Sequence, residues 1–311
     1  ITVTGPVAGS SVNNSIISYE LSEALSSGTV SWEPAGGNPQ VKTLSGREIE
    51  AGLHLDLTLS DSPSLADGTA YSLTFKGSDM AGNQMETVVV SDVTFDITPP
   101  KINVDFSGSA PSRGLFIYGS PVGLNFNEDM GEVTFRWERE GGNEDSGSPH
   151  ILNVAEADLG QGDHAEVKIP GSEKVLIGTS YTLTVEGNDK AGNPGKAQKV
   201  ENIEIVRNLD GEWAYQGIAI ILWEFSGGED FSQGVLFGNT LSDKKPGKYA
   251  IDWTKRPFRL AIKYDDGSRR YGLFEFIGHN KLRVVSSSEK RPSSWSDGDY
   301  FEFEFRENNI P

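Results

Sequence analysis

A chain of 311 residues has room for two or three domains, each with its own core. Having no cysteine, it has no disulfide scaffold, cysteine nucleophile or thiolate metal site, and no apolar run approaches the ~20 residues of a membrane helix. The net charge of −18 argues against nucleic acid and anionic membranes as partners, because both are polyanions, and suits cation binding or a saline exterior.

The charge is unevenly spread. Residues 1–100 hold 12 acids against 3 bases, residues 101–207 hold 17 against 10, and residues 208–311 hold 16 against 14. With 36 glycines, 15 prolines and short alternating apolar runs, the chain reads as all-β. It opens on Ile1-Thr-Val-Thr4 without a signal peptide, so the expectation is a mature form or a piece of something longer.

Residues 1–100 read as one module. Strand-like runs lead through Leu25-Ser-Ser-Gly-Thr-Val-Ser-Trp32 into Glu33-Pro-Ala-Gly-Gly-Asn38. Leu53, Leu55, Leu57 and Leu59 alternate and predict an apolar strand face. After the turn Asp67-Gly-Thr69, Tyr71, Leu73 and Phe75 share one face of a strand that runs into Asp79-Met-Ala-Gly-Asn83. Gly82 and Asn83 tolerate positive φ, so a hairpin is expected there. Asp96-Ile-Thr-Pro-Pro100 reads as a short stiff joint.

Residues 101–207 repeat this order. Trp137 followed by Glu138-Arg-Glu-Gly-Gly-Asn143 matches Trp32, the run from His164 to Ile169 matches the one beginning at His54, and Tyr181 leads into Asp189-Lys-Ala-Gly-Asn193. The offset is 105 at the tryptophans and 110 from the histidines onward, so about five residues are inserted near 144–148. Strands recurring every ~8–12 residues over ~100 residues predict a two-sheet sandwich.

Residues 208–311 differ in style and hold four of the six tryptophans. Strand-like runs are separated by Asp265-Asp-Gly267, Gly278-His-Asn280 and Ser296-Asp-Gly298. Seven or eight such strands predict an up-and-down barrel. Phe301, Phe303 and Phe305 alternate with Glu302, Glu304 and Arg306, as one dry and one wet face require.

The two repeats resemble bacterial immunoglobulin-like repeats of large secreted and surface proteins. The residues that carry the resemblance are Ser22-Glu-Ala-Leu25 through Trp32, the Asp79–Asn83 hairpin and the Asp96–Pro100 joint. They cover about two-thirds of the chain. The last segment is similar to a lipocalin-like (calycin) family common in planctomycete-type bacterial proteins, through Leu209-Asp-Gly-Glu-Trp213, Tyr249-Ala-Ile-Asp252, Lys255-Arg-Pro257 and Arg291-Pro292. The resemblances imply two immunoglobulin-like β-sandwiches in tandem plus a C-terminal lipocalin-like antiparallel β-barrel, outside a bacterial cell. In lipocalin-like folds the first Gly-x-Trp plugs the barrel base, which implies a structural Trp213. The second repeat lacks a Pro-Pro exit, so a closer junction with the barrel is expected.

Two readings stand for the Asp-x-Ala-Gly-Asn turns. Asp79 with Asn83, and Asp189 with Asn193, could bind Ca²⁺ together with Asp96, since hard cations take several oxygen ligands. Alternatively each Asp accepts turn amides while Asn takes positive φ, a reading favoured by the lack of a dense Asp-x-Asp series. His54 and His164 occupy equivalent positions and are read as structural; with His150 and His279 they form no zinc-type cluster. Neighbouring acids such as Glu128–Asp129 are read as turn residues. No Gly-x-Ser-x-Gly elbow or phosphate loop is present, and the expected class is non-catalytic.

Trp223, Tyr249, Trp253 and Trp295 are candidates to line a barrel mouth for a small apolar or sugar ligand. The competing reading is that so small a barrel fills with side chains. The expected function is structural or adhesive at the bacterial surface, with the sandwiches as spacers or polymerising units and the barrel as tip or docking module. Partners would then be other subunits joined by strand addition. Small-molecule or carbohydrate binding by the barrel, and an accessory region of a larger secreted enzyme, are the alternatives.

Overall fold

The computed structural model describes residues 1–106, 114–168, 172–278 and 280–306. Ile169, His279 and the centre of the turn at 278–280 lie outside the described residues. The chain is all-β, built from two pairs of facing sheets and one closed barrel.

In the first module, Thr2–Gly5, Ile17–Leu21 and Gly52–Leu57 form a three-stranded antiparallel sheet. The second sheet runs in the order Ser11–Val12, Val88–Phe95, Thr69–Asp79, Leu25–Pro34 and Gln40–Leu44, with its first pair parallel. The second module reproduces both sheets, strand for strand, including the parallel pair Leu115–Ile117 and Gln198–Val206. Trp32 lies opposite Leu73, and Trp137 opposite Leu183. Each tryptophan meets its tyrosine, Tyr71 or Tyr181, edge-on at a centroid distance of 6.0 Å. Both indoles are buried, so the shared Trp–Tyr pair anchors each sandwich core.

One expected apolar face points the other way. In Gly52–Leu57, Leu53 and Leu55 are 58% and 63% exposed, whereas His54 turns inward. Its ring packs 4.7 Å from Tyr19, and its Nε2 lies 3.0 Å from the Glu50 carbonyl oxygen. Asp56, at φ +49°, interrupts the alternation, and Leu59 beyond it is buried. Register against Ile17–Leu21, rather than the run of leucines, decides which side faces the core. His164 repeats the arrangement, 2.7 Å from the Gly160 carbonyl and against Phe126. Both histidines are structural.

Eight antiparallel strands make the barrel: Gly211–Gln216, Ile220–Ser226, Asp230–Phe237, Lys245–Asp252, Phe258–Tyr264, Arg269–Gly278, Lys281–Ser287 and Tyr300–Arg306. It closes because Gly211–Gln216 pairs with the last strand while Ile220–Ser226 pairs with Asp230–Phe237. Closure leaves no barrel edge open. Phe303 is buried, with Glu302 and Glu304 exposed beside it, as the alternation predicts.

Apolar packing divides the chain unevenly. One cluster belongs to the first module alone. A second runs without a break from the second module through Val206 and Leu209 into the barrel. A Cβ at Gly178, whose φ is +75°, would stand 2.8 Å from the Phe276 carbonyl oxygen, so only glycine allows this approach of the module to the barrel.

Candidate metal centre at the first joint

The Asp-x-Ala-Gly-Asn turn is first of all a self-satisfied loop. Asp79 accepts hydrogen bonds from the Ala81 and Asn83 amides, both at 2.8 Å, and from the Asn83 side chain at 2.7 Å. These donors, led by the Asn83 side chain, hold the Asp79 carboxyl below its usual range. Asp189 and Asn193 repeat the pattern at 2.8 Å. Positive φ falls on Gly82 (+88°) and Gly192 (+89°) and not on the asparagines, which act through their amides.

The two copies differ in surroundings. Asp79 is half-buried and Asn83 exposed, whereas Asp189 and Asn193 are both buried under the joint. Asn193 Nδ2 donates to the Asp96 carbonyl oxygen at 2.8 Å, across a sequence separation of 97 residues. The joint is itself pinned. Asp67 accepts from the Ile97 amide at 2.8 Å and the Thr98 hydroxyl at 2.6 Å. Pro100 is buried, close to where a Cβ on Gly195 would stand.

Three carboxylates converge here. Asp96, Glu128 and Asp189 each place an oxygen within 4.8 Å of the others. None of the three has a Lys or Arg partner among the described residues; nearby Lys190 pairs with Asp129 instead, at 2.7 Å. Burial, then the Asp96 and Asp189 charges, push the Glu128 carboxyl above its usual range, with the more distant Asp67 adding to them. At this spacing two like charges repel by on the order of 3 kcal/mol at an effective dielectric of ~20. A divalent cation would turn that repulsion into attraction. An all-oxygen donor set from two modules, in irregular geometry, suits Ca²⁺ better than the rigid octahedron of Mg²⁺ or the N/S preference of zinc.

The expected ligand set is therefore regrouped. Asp96, Asp189 and Asn193 come together, but Asp79 and Asn83 do not join them. The strand Thr69–Asp79 begins beside Phe95 and ends at Asp79, which puts Asp79 and Asp96 roughly 30 Å apart at ~3.3 Å per residue. Glu128, set aside above as a turn acid, is the third member. The repeat carries a signal for it, because Glu23 and Glu128 are equivalent, 105 residues apart like the tryptophans. Glu23 lines a small cavity with Asp79 and Asn83 at the other pole of the first module, the same pair without a joint acid.

The barrel aromatics take different places. Trp223 is buried and stacked on Phe303 at 4.5 Å. Tyr249 is buried against Phe225, with its hydroxyl directed to Asp210. Both belong to the packed interior, as a small barrel requires. Trp253 is half-buried at the end facing the second module, and Trp295 is half-buried in the short turn Trp295–Asp297. The four therefore form no single mouth.

No family model matches the chain, and no curated protein matches it. Among solved structures, it is similar to the crystal structure of chicken CNTN1 FN1-FN3 domains, at 15% identity and a TM-score of 0.32. The match covers 64% of this chain and 64% of that one, just under two thirds of its length.

Proposed function

We propose that the chain is a structural spacer of an extracellular bacterial surface protein. In this reading its first joint is stiffened by Ca²⁺, and the barrel is a docking module. The convergence of Asp96, Glu128 and Asp189 from both sides of the joint carries the reading. A bound cation would tie the two sandwiches where only a short Pro-Pro segment joins them covalently. The bacterial repeat resemblance and the strongly acidic first two-thirds of the chain agree with it.

The test is the melting temperature with Ca²⁺ and with a chelator. Calcium at a hundred times its dissociation constant is expected to add about 2.7 kcal/mol. Asp189→Asn removes this gain and Asp79→Asn keeps it; an identical melt in calcium and chelator defeats the proposal. The cation-free joint also has a defined pH response. Because the folded pKa of Glu128 is raised, the stability it contributes is full below the unfolded value of about 4.3 and is lost as pH rises through the folded value. Calcium reverses that trend, which urea titrations across this range would detect.

A second reading, self-association by strand addition, rests on the edge strand Gly52–Leu57. Its exposed Leu53 and Leu55 are replaced by Asp163 and Ala165 at the equivalent positions of the second module. Leu53→Lys is expected to abolish any concentration-dependent mass increase seen by light scattering. A monomer at all concentrations ends this reading.

A further inference from the structure

The second junction is apolar at its centre but open along one side. Two adjoining cavities of about 400 and 590 Å³ lie there and share Ser180, Glu204 and Arg256. The smaller is lined by Ser180, Asn202 and Glu204 from the second module and by Trp253, Thr254 and Arg256 from the barrel. Gly178 brings the strand Thr179–Asp189 against the barrel, and Ser180, two residues on and facing the same way, borders the gap that remains.

We infer that this groove binds a neutral oligosaccharide, with Trp253 as the aromatic platform and the Arg256–Glu204 pair as the polar fork. Trp253 is half-buried and held by edge-on contacts with Phe258 at 4.9 Å and Phe274 at 5.8 Å. A Trp ring locked this way offers apolar area at little entropic cost, and the C–H face of a pyranose matches it. The Arg256 guanidinium is equally fixed. It bonds Glu204 Oε2 from Nε at 3.0 Å and from Nη2 at 2.5 Å, donates from Nη1 to the Trp253 and Lys255 carbonyls, and sits 4.0 Å over Phe258.

The remaining polar atoms are those that sugar hydroxyls seek. Glu204 Oε1, the Ser180 hydroxyl and the Asn202 side-chain amide make no hydrogen bond among the described residues, and all three residues line the groove. A carboxylate oxygen beside an amide and a hydroxyl serves vicinal hydroxyls, which donate and accept together. Because Glu204 neutralises Arg256, the groove has no excess charge to select an anionic ligand. The chain's net −18 opposes nucleic acid. The adjoining larger cavity extends the groove past Asn143 and Phe276, giving room for more than one sugar ring. The segment Asp252-Trp-Thr-Lys-Arg-Pro257 thus has a use beyond connecting two barrel strands.

The experiment is affinity electrophoresis of the full chain through gels containing hydroxyethylcellulose, xylan, glucomannan or starch, followed by calorimetric titration with oligosaccharides of the polymer that retards it. The expected result is retardation by at least one polymer, unaffected by chelator, which separates it from the cation site. Trp253→Ala should weaken binding at least ~10-fold through loss of the stacking platform. Ser180→Phe fills the groove without removing a core aromatic and should abolish retardation while leaving the melting temperature near that of the parent. Trp295→Ala, changed on the same barrel outside the groove, should bind normally. No retardation by any of the four polymers, or retardation that survives Ser180→Phe, overturns the inference.

Discussion

Replacing Trp213 by alanine is expected to cost about 3–5 kcal/mol, the range for removing a large buried aromatic. The indole has no exposed surface, and its Nε1 donates to the Leu209 carbonyl at 2.7 Å. Its ring packs against Phe305 at 5.3 Å and Phe276 at 6.5 Å, with the Arg207 guanidinium 5.3 Å from its centroid. This is the barrel end that meets the second module, so the void left would open at the shared apolar cluster. Calorimetry should show one transition for the second module with the barrel and another for the first module, whose cluster is separate. Trp213→Ala should move only the former, by about 2–4 °C per kcal/mol for a unit of this size. Loss confined to the barrel, with the second module melting unchanged, would show the two are not one cooperative unit.

Tyr181→Phe and Tyr71→Phe should differ, although the residues are equivalent. Each hydroxyl accepts from a backbone amide five residues upstream, Leu176 at 3.0 Å and Ala66 at 2.8 Å, which is the tyrosine corner of immunoglobulin-type sandwiches. Tyr181 also donates to Asp145 Oδ2 at 2.6 Å, and His150 Nε2 lies 2.6 Å from the same oxygen. The Asp145 side chain is only 5% exposed. Burial pushes its carboxyl up, but the bonds from Tyr181, His150 and the Gly147 amide outweigh it and hold the group below its usual range. Burial, then the Asp145 bond, push the Tyr181 hydroxyl up.

Removing the Tyr181 hydroxyl strips a charged acceptor of a donor and orphans an amide, a loss of about 2–4 kcal/mol. Tyr71→Phe orphans one amide beside an exposed loop and should cost about 1 kcal/mol. Equal losses in urea unfolding would mean that Asp145 gains nothing from Tyr181. Asp145 lies in the five-residue insertion near 144–148, so the extra loop supplies the second module with a buried polar network that the first lacks.

What could be read from the sequence was whatever is local and periodic. The double appearance of Trp-x-x-x-Gly-Gly-Asn, the Tyr strand and Asp-x-Ala-Gly-Asn determined two copies of one sandwich, because a strand's faces and a turn's φ requirements are written in adjacent residues. The Phe301–Phe305 alternation determined a barrel strand for the same reason. The leucines at 53 and 55 misled because register, set by a partner strand 31 to 40 residues away, chose the inward face.

Which Asp-x-Ala-Gly-Asn turn gains acidic neighbours depends on packing between distant segments. The two turns are chemically alike, and it is the joint folding back over Asp189 that brings Asp96 and Glu128 to it, while Asp79 stays half-buried at the far end of an 11-residue strand, away from the joint. Electrostatic neighbours separated by 32 and 61 residues in the chain leave no spacing pattern to read. The same holds for Trp253, whose ring packs on the core residues Phe258 and Phe274 while the residue also borders the groove with Glu204. Adjacent residues dictate which side chains can turn, pair and bury; packing between modules dictates which of them meet.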